Sequence, residues 1–561
     1  MFQRPARLGS ISGSEPVRNR PLQCFSLERA EWVAAILLSS VVLFLLIVRA
    51  MHAGGLWRDE CDAVQLAQMP RLADLLAHFH YSSFPLLFSL ILRSYTTLFG
   101  DSDIALRCFG FTVGAAFIAA AWFLSFSESR QPPLVLLALI GLNSNFLGAG
   151  MWVRGYGIGS VLIVLAFTLT ANLLRETTAR RLAVMGLISI AAAQCLFFNG
   201  PLLPAIFLGA LVVLLLHRRF KSALLLSGIG LLIVFGYLPY SYRVLVFLHI
   251  APGHSRWATS IFGQTLSFSW DELMRSFGTP SFVTAWVWIA LILGAVAGAT
   301  YRLRLIWNKE PATERDTLLF GLIVLASSIP LFWGFMQWLG NPLARYYLVI
   351  FCLLAAAADL VLASLCRFRW LRLVRISVVL IGTITMPFAV WPELVKRETN
   401  IDILANKLEK EAGPTDLILV NPWSRGISFN RYYHGPTTWM TVPNIQDHRM
   451  HRYDLLPAKM SESFPLEDIE TAISGTLKSG NRVWVVNDLN VRLESDRILV
   501  LAPAPDPKFG WTASAYSYAW TQQLVLFLQR HVTKMEVPVP LQSFHSWNED
   551  ASLILAEGWQ Y

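Results

Sequence analysis

Gly55-Leu56-Trp57-Arg58-Asp59-Glu60-Cys61-Asp62 follows within a few residues of the first long apolar run of the chain, Trp32 to Val48. Two adjacent carboxylates, with a third close behind, therefore stand beside a membrane surface. Ionisable groups so close to lipid are costly, and by default they point to function. A plainer reading stands beside that one: acidic residues also open solvated loops at the outer ends of membrane helices, and Asp commonly caps a helix start.

The composition decides the class. Of 561 residues, 55% are hydrophobic and 15% charged, and the mean hydropathy is +0.49. An average soluble chain carries about 25% charged residues, so this is a polytopic membrane protein. The net charge of +9 sits in short clusters between apolar runs. That is the pattern of headgroup contact and topology rather than of nucleic-acid binding. Twenty Trp and 12% aromatic residues suit interfacial belts. The six Cys, at 24, 61, 108, 195, 352 and 366, form no C-x-x-C pair, so neither a zinc site nor a redox motif is indicated. Only Cys61 and Cys108 share the expected outer side, and spacing alone does not set a bridge between them.

Residues 1–30 are polar and basic and read as a disordered cytoplasmic tail. The run 32–48 is longer than a signal-peptide core and reads as an uncleaved anchor. Ten further runs follow at about 104–126, 132–150, 157–174, 182–199, 201–216, 222–240, 281–300, 317–337, 343–365 and 375–391. Each is near the roughly 20 residues a crossing needs. With the N-terminus inside, the basic clusters at Arg130, Arg175–Arg181, Arg218–Lys221, Arg302–Arg315 and Arg367–Arg375 all face the cytoplasm, as the positive-inside bias requires. About 11 crossings over 31–395 put the C-terminus outside.

The first outer loop, 51–103, holds two further helical patterns. Arg71 to Phe79 is amphipathic and suits the membrane plane. Leu86 to Phe99, at fourteen residues, is short for a span and reads as interfacial or re-entrant. The loop 241–280, with Trp257, Asp271 and Glu272, is long enough to cover a cavity. From about 396 to 561 short apolar runs (417–420, 483–486, 553–555) alternate with helical patterns (401–410, 466–477, 518–531). Such alternation indicates a small α/β domain, extracytoplasmic by the crossing count. No internal repeat and no phosphate-binding P-loop occurs, which disfavours an ATP-driven transporter.

Three ordered motifs now carry a resemblance: Trp57-x-Asp59-Glu60; Phe84-Pro85-Leu86 leading through Phe99-Gly100-Asp101-Ser102 to Ala105-Leu106-Arg107; and Arg154-x-Tyr156. With Arg345-Tyr346 before a late span and the α/β tail, the chain resembles the GT-C class of integral-membrane glycosyltransferases. Within that class it is similar to dolichyl-phosphate-mannose protein mannosyltransferases and the bacterial lipid A aminoarabinose transferase. The motifs cover roughly 32–175 and the architecture the whole chain. It departs at Tyr81-Ser82-Ser83-Phe84, where relatives have a second acidic residue and a first proline, and at Trp152, where they often have Glu.

The resemblance implies transfer of a sugar from a polyprenyl-phosphate donor to a hydroxyl acceptor (lipid, glycan or protein). The reaction would be inverting and the sugar a hexose or pentose. The site would face the outside or periplasm from the inner membrane. It implies Asp59 as general base, with burial and the neighbouring Glu60 raising its pKa. Glu60 either orients Asp59 or binds a sugar hydroxyl. Arg154 and Arg345 suit the lipid phosphate, for which a planar bidentate donor is apt; their alternative is snorkelling to outer headgroups. Tyr156 and Tyr346 stand beside them as phosphate contacts or belt aromatics. His78 and His80 flank the missing acidic position as phosphate or metal contacts, or as polar rim. The metal stays open. No nucleotide is assigned, since the tail, with Tyr432-Tyr433-His434-Gly435, has no glycine-rich fingerprint after its first strand. The tail is expected to cover the cavity or contact the acceptor, or to be purely structural.

Two rival readings remain: a transporter or flippase of lipid-linked sugars, and an inactive envelope scaffold. Transporters bind near the bilayer midplane on broken helices, whereas these residues crowd the outer surface. The topology makes its own prediction. Protease added to intact spheroplasts cuts near residues 396–415, and protection there breaks the N-in, C-out arrangement.

Overall fold

The computed structural model describes residues 22–79, 84–129, 131–250, 266–307, 312–339, 343–365, 369–487, 498–541 and 546–561. Of the expected tail, 1–21 lie outside these, and Leu22 already opens α1 (Leu22–His52). His80, Ser82, Ser83 and Trp257 also lie outside them.

Among the described residues nine helices are long and apolar enough to cross a membrane, the first Leu27–His52 and the last Arg369–Leu394. The eleven-run expectation differs at two places. The run 132–150 opens on Pro132-Pro133, which cannot continue a helix ladder, and it forms only Leu134–Leu136, a π-turn Leu137–Gly141 and Ser144–Ala149. The run 182–199 forms Ala179–Cys195, seventeen residues. The first still passes from one end of the bundle to the other. Gln131 donates to the Ala363 carbonyl, while Asn145 donates to the carbonyl of Ala344, at the opposite end of the same late span.

Three short helices sit at the end of the bundle that carries the opening motif: α2 (Arg58–Ala67), α3 (Leu72–His78) and α4 (Leu86–Phe99). The two surface patterns are therefore helical, and α2 is an addition. Arg93 of α4 holds the α2–α3 turn through the carbonyls of Ala67 and Met69 at 2.8 and 2.6 Å. Gly100, at φ +80, ends α4 in a conformation L side chains rarely adopt. Ser102 then caps α5 (Asp103–Leu124), accepting from Ala105 N at 3.3 Å. Cys61 is buried and Cys108 exposed, both as free thiols.

The tail is a five-stranded sheet of order β2-β1-β3-β5-β4, with β1 Leu417–Val420, β2 Thr438–Thr441, β3 Val483–Asn487, β4 Val532–Val539 and β5 Ser552–Trp559. β1 pairs parallel with β2 and β3; β5 runs antiparallel to β3 and β4. Alternate residues of the buried strands face two cores. Leu417, Leu419, Val483 and Val485 pack with Ile469, Ile473 and Trp520; Ile418, Val420, Trp484 and Val486 pack with Ile401, Leu404 and Phe429. This domain is seated on α2 and the bundle end. Glu398 takes Arg49 and Trp152, Gln65 donates to the Ile427 carbonyl at 3.1 Å, and Tyr432 and Arg431 reach Asp103 at 3.0 and 3.1 Å.

Close helix approach fixes the turn before Gly155–Arg175. A Cβ on Gly110 would overlap the Met151 carbonyl oxygen, and one on Gly157 that of Gly150. Small residues let membrane helices meet backbone to backbone. Gly110→Ala and Gly157→Ala should each lower stability by about 1–3 kcal/mol, the usual range for overpacking. Thermal unfolding in detergent checks this, with Gly228→Ala as control because nothing lies within 4 Å of the added methyl.

Candidate active site

Helix α2 places the acidic triplet. Trp57, extended at φ −84 and ψ 167, is its N-cap, and Glu60 reaches back to the Trp57 N–H at 3.3 Å. Asp59 is therefore not the cap residue. It lies in the first turn, where the free N–H groups favour a negative side chain.

Glu60 is fully buried. Its Oε1 accepts from Arg107 at 2.9 Å and from Val153 N at 2.8 Å. The same guanidinium donates to the carbonyls of Gly54 and Gly55 at 3.1 and 2.6 Å. Glu60 thus ties α2 to α5 and to the turn carrying Arg154, and its oxygens are engaged by protein donors rather than turned toward a ligand.

Asp59 is buried and its carboxylate is shared. Arg58 Nε and His451 Nε2 lie 3.2 and 3.3 Å from Oδ1; Arg345 and Arg154 lie 3.7 and 3.8 Å from Oδ2. Arg154 also donates to the Asp59 carbonyl at 2.6 Å, reaches Asp62 at 3.7 Å and lies over the Phe84 ring at 4.5 Å. Arg345 is framed by Trp57, Trp152 and Tyr346 at 5.8, 5.9 and 5.4 Å. Tyr156 is buried edge-on to Phe84, 5.2 Å away, and 6.1 Å from Tyr346. Asp59, Arg154, Tyr156, Arg345 and Tyr346, from distant parts of the chain, are thus neighbours. His78 is on the last turn of α3, with Nδ1 2.8 Å from the Asp74 carbonyl one turn back.

The expected rise in the Asp59 pKa is reversed. Burial pushes the carboxyl up, but Arg58, the hydrogen bond from His451 and Arg154 outweigh it and hold the group well below the usual carboxylate range. Asp62 moves the other way: burial raises it, and His451 and Arg154 offset this only in part.

His451 comes from the α/β domain, where the expectation was a cover, an acceptor contact or a structural role. Its N–H donates to Asp62 at 3.1 Å, and its ring stacks on Tyr453 at 5.1 Å and 10°. The sequence offered only the run His448-Arg449-Met450-His451-Arg452 as a hint. Three buried N–H groups of this cluster have no hydrogen-bond partner: Trp57 Nε1, Arg154 Nε and Arg345 Nε. Buried unsatisfied polar groups are rare and costly, so these free donors suit an acceptor-rich anion. A cavity of about 470 Å³ adjoins it, lined by Arg345, Trp152, Glu272, Glu393, Trp547 and Asn548. Among the described residues no group of three or more His, Cys, Asp or Glu side chains could hold a metal ion.

Removing Arg107 leaves Glu60 buried without its cation, which typically costs about 3–5 kcal/mol. Arg107→Ala should therefore lower the unfolding temperature sharply. Glu60→Gln should be milder, because an amide oxygen still accepts from Val153 N; calorimetry in detergent checks both.

No protein-family model and no curated protein matches the chain. Solved structures do. The oligosaccharyltransferase of Archaeoglobus fulgidus, complexed with zinc and sulfate, matches at 12% identity and a TM-score of 0.46, over 81% of this chain and 68% of its own. The oligosaccharyltransferase AglB of the same organism, with an inhibitory peptide and a dolichol-phosphate, matches at 10% and 0.42, over 88% and 72%. ArnT of Cupriavidus metallidurans, bound to undecaprenyl phosphate, matches at 12% and 0.38, over 93% and 98%. At these identities and scores the likeness bears no weight on the chemistry of the site.

Proposed function

We propose that this membrane protein is a glycosyltransferase that moves a sugar from a polyprenyl-phosphate donor to a hydroxyl acceptor at the outer face of the inner membrane. The observation behind this reading is a carboxylate, Asp59, contacted by both Arg154 and Arg345, each of which keeps a buried Nε without a partner. A sugar phosphate meets both needs. Its phosphate oxygens engage the guanidinium groups, which stabilise charge developing on the leaving phosphate. Its anomeric carbon then lies near Asp59, which takes the proton of the attacking hydroxyl. In-line attack opposite the phosphate inverts the anomeric centre.

A base must be ionised, and the cations around Asp59 keep it so. A base of very low pKa has little driving force for proton uptake. Donor binding relieves this, because the phosphate competes for Arg154 and Arg345. Asp59 then gains basicity only when the donor is present. The apolar bundle holds the lipid tail, and the cavity at the α/β domain admits the acceptor.

The test uses purified protein, radiolabelled polyprenyl-phosphate sugars (hexose and pentose) and envelope lipid, glycan or peptide acceptors. Asp59→Asn should reduce transfer by about a hundred- to ten-thousandfold, the range for general-base catalysis. Activity is present above the pKa of the base and lost as pH falls through it. The acid limb of kcat/KM, which reports the free enzyme, should therefore lie below the ordinary carboxylate range. The acid limb of kcat should lie higher, because bound phosphate draws the arginines away. Transfer that survives Asp59→Asn refutes Asp59 as base; labelled lipid that crosses vesicles unconsumed favours transport.

A further inference from the structure

Asp59 uses its two oxygens differently. Oδ1 is close to two nitrogens, Arg58 Nε at 3.2 Å and His451 Nε2 at 3.3 Å. Oδ2 has only guanidinium nitrogens at 3.7 and 3.8 Å, beyond hydrogen-bond length. The side chain keeps 11% of its exposure. His451 itself has little freedom. Its side chain is 6% exposed, its backbone N–H is bound to Asp62, its ring lies flat on Tyr453 at 10°, and Trp423 meets it edge-on, 6.4 Å between centroids. The ring orientation is therefore fixed by the α/β domain, and its Nε2 is fixed against a residue of the bundle's first loop.

We propose that His451 is a positioning residue, held by the α/β domain, that fixes Asp59 through Oδ1 and leaves Oδ2 as the atom that takes the acceptor's proton. This rests on the glycosyl-transfer reading and adds to it a residue outside the motifs of the first 175 positions. The step balances. The acceptor oxygen forms a bond to the anomeric carbon. The bond from that carbon to the phosphate oxygen breaks, with its electron pair leaving on the phosphate. The hydroxyl proton moves to Asp59 Oδ2. His451 stays bound to Oδ1 throughout and exchanges no proton with substrate. Its imidazole also lowers the Asp59 pKa together with Arg58 and Arg154. Asp62 on the same helix, Arg345, Tyr346 and Tyr453 complete the ionisable surroundings of the carboxylate. A misplacement of the order of 1 Å at a reacting group can cost about a hundredfold in rate, so a donor that sets the carboxylate plane matters to kcat.

Two variants of the full-length protein, reconstituted in lipid, separate positioning from support. His451→Phe keeps the flat ring on Tyr453 and the backbone bond to Asp62 but removes Nε2. His451→Gln returns an N–H donor. With the donor and acceptor identified by the activity screen, His451→Phe should lower kcat by about ten- to a hundredfold. The donor KM should hold, since Arg154 and Arg345 remain, and the acid limb should move to higher pH because a depressing contact is gone. His451→Gln should recover much of the rate. A parallel measurement needs no turnover. The infrared band of the protonated Asp59 carboxyl, assigned by its loss in Asp59→Asn, should titrate at higher pH in His451→Phe than in the wild type. An unmoved band, or full kcat in His451→Phe, overturns the proposal. So does a rate loss with an unmoved acid limb that tracks lost thermal stability, which would make His451 a structural contact only. A band that moves while the wild type consumes no donor of any kind keeps the His451–Asp59 contact and overturns the transfer reaction.

Discussion

The constraint on which this molecule depends is the burial of negative charge at the start of one short helix. Asp59, Glu60 and Asp62 are all buried within a single turn of α2. Taking ions out of water costs several kcal/mol each, and only good pairing offsets it. No local segment supplies enough cations for three carboxylates. Arg58 supplies one from α2 itself, and the others come from α5 (Arg107), from the turn before Gly155–Arg175 (Arg154) and from the entry to a late span (Arg345), while the α/β domain adds the His451 imidazole. The chain is thus folded around α2 in the sense that its remote parts neutralise it.

The three carboxylates divide the labour by partner. Glu60 is saturated by Arg107, Val153 N and Trp57 N, so it sets the backbone that carries its neighbours. Asp62 anchors the His451 backbone and takes one edge of Arg154. Asp59, like Asp62, keeps one oxygen without a hydrogen-bond donor, but only Asp59 has two guanidinium groups, Arg154 and Arg345, near that oxygen, and the Nε of each has no partner. Replacing such a cluster with apolar residues is often neutral or stabilising in other proteins. Its presence is therefore weak evidence for stability and better evidence for a ligand that completes it.

Much of this was legible in the sequence, for identifiable reasons. Apolar runs near membrane length mark helices because length is set by the bilayer, so most spans are read directly. The runs 132–150 and 182–199 differ: Pro132-Pro133 breaks the first into short helical pieces although its composition looks continuous, and the second forms a helix of only seventeen residues. Buried strands β1, β3 and β5 announced themselves as apolar runs. β2 and β4 did not, being sheet edges with exposed, mixed faces. Asp59, Arg154 and Arg345 were found as charges at helix ends near lipid, a feature visible one residue at a time. His451 was not, because nothing about a histidine in a polar tail reports which carboxylate it will meet. The sign of the Asp59 shift was missed for the same reason. Burial was anticipated and the adjacent Arg58 was visible, but His451 and Arg154, which add to Arg58 in outweighing burial, arrive through the fold.

The docking of the α/β domain acquires a chemical meaning from this geometry. Its contacts with the bundle are specific and polar: Glu398 with Arg49 and Trp152, Asp103 with Arg431 and Tyr432, Asp62 and Asp59 with His451. Inter-domain interfaces within a chain move by default unless they are large and apolar. Here the polar contacts spread over α1, α5 and the turn before Gly155, and those of His451 reach the helix that holds Asp59. A shift of the domain would remove a nitrogen from Oδ1 and open the cavity between Arg345 and Trp547 at once. The seating of the domain and the surroundings of Asp59 are thereby coupled.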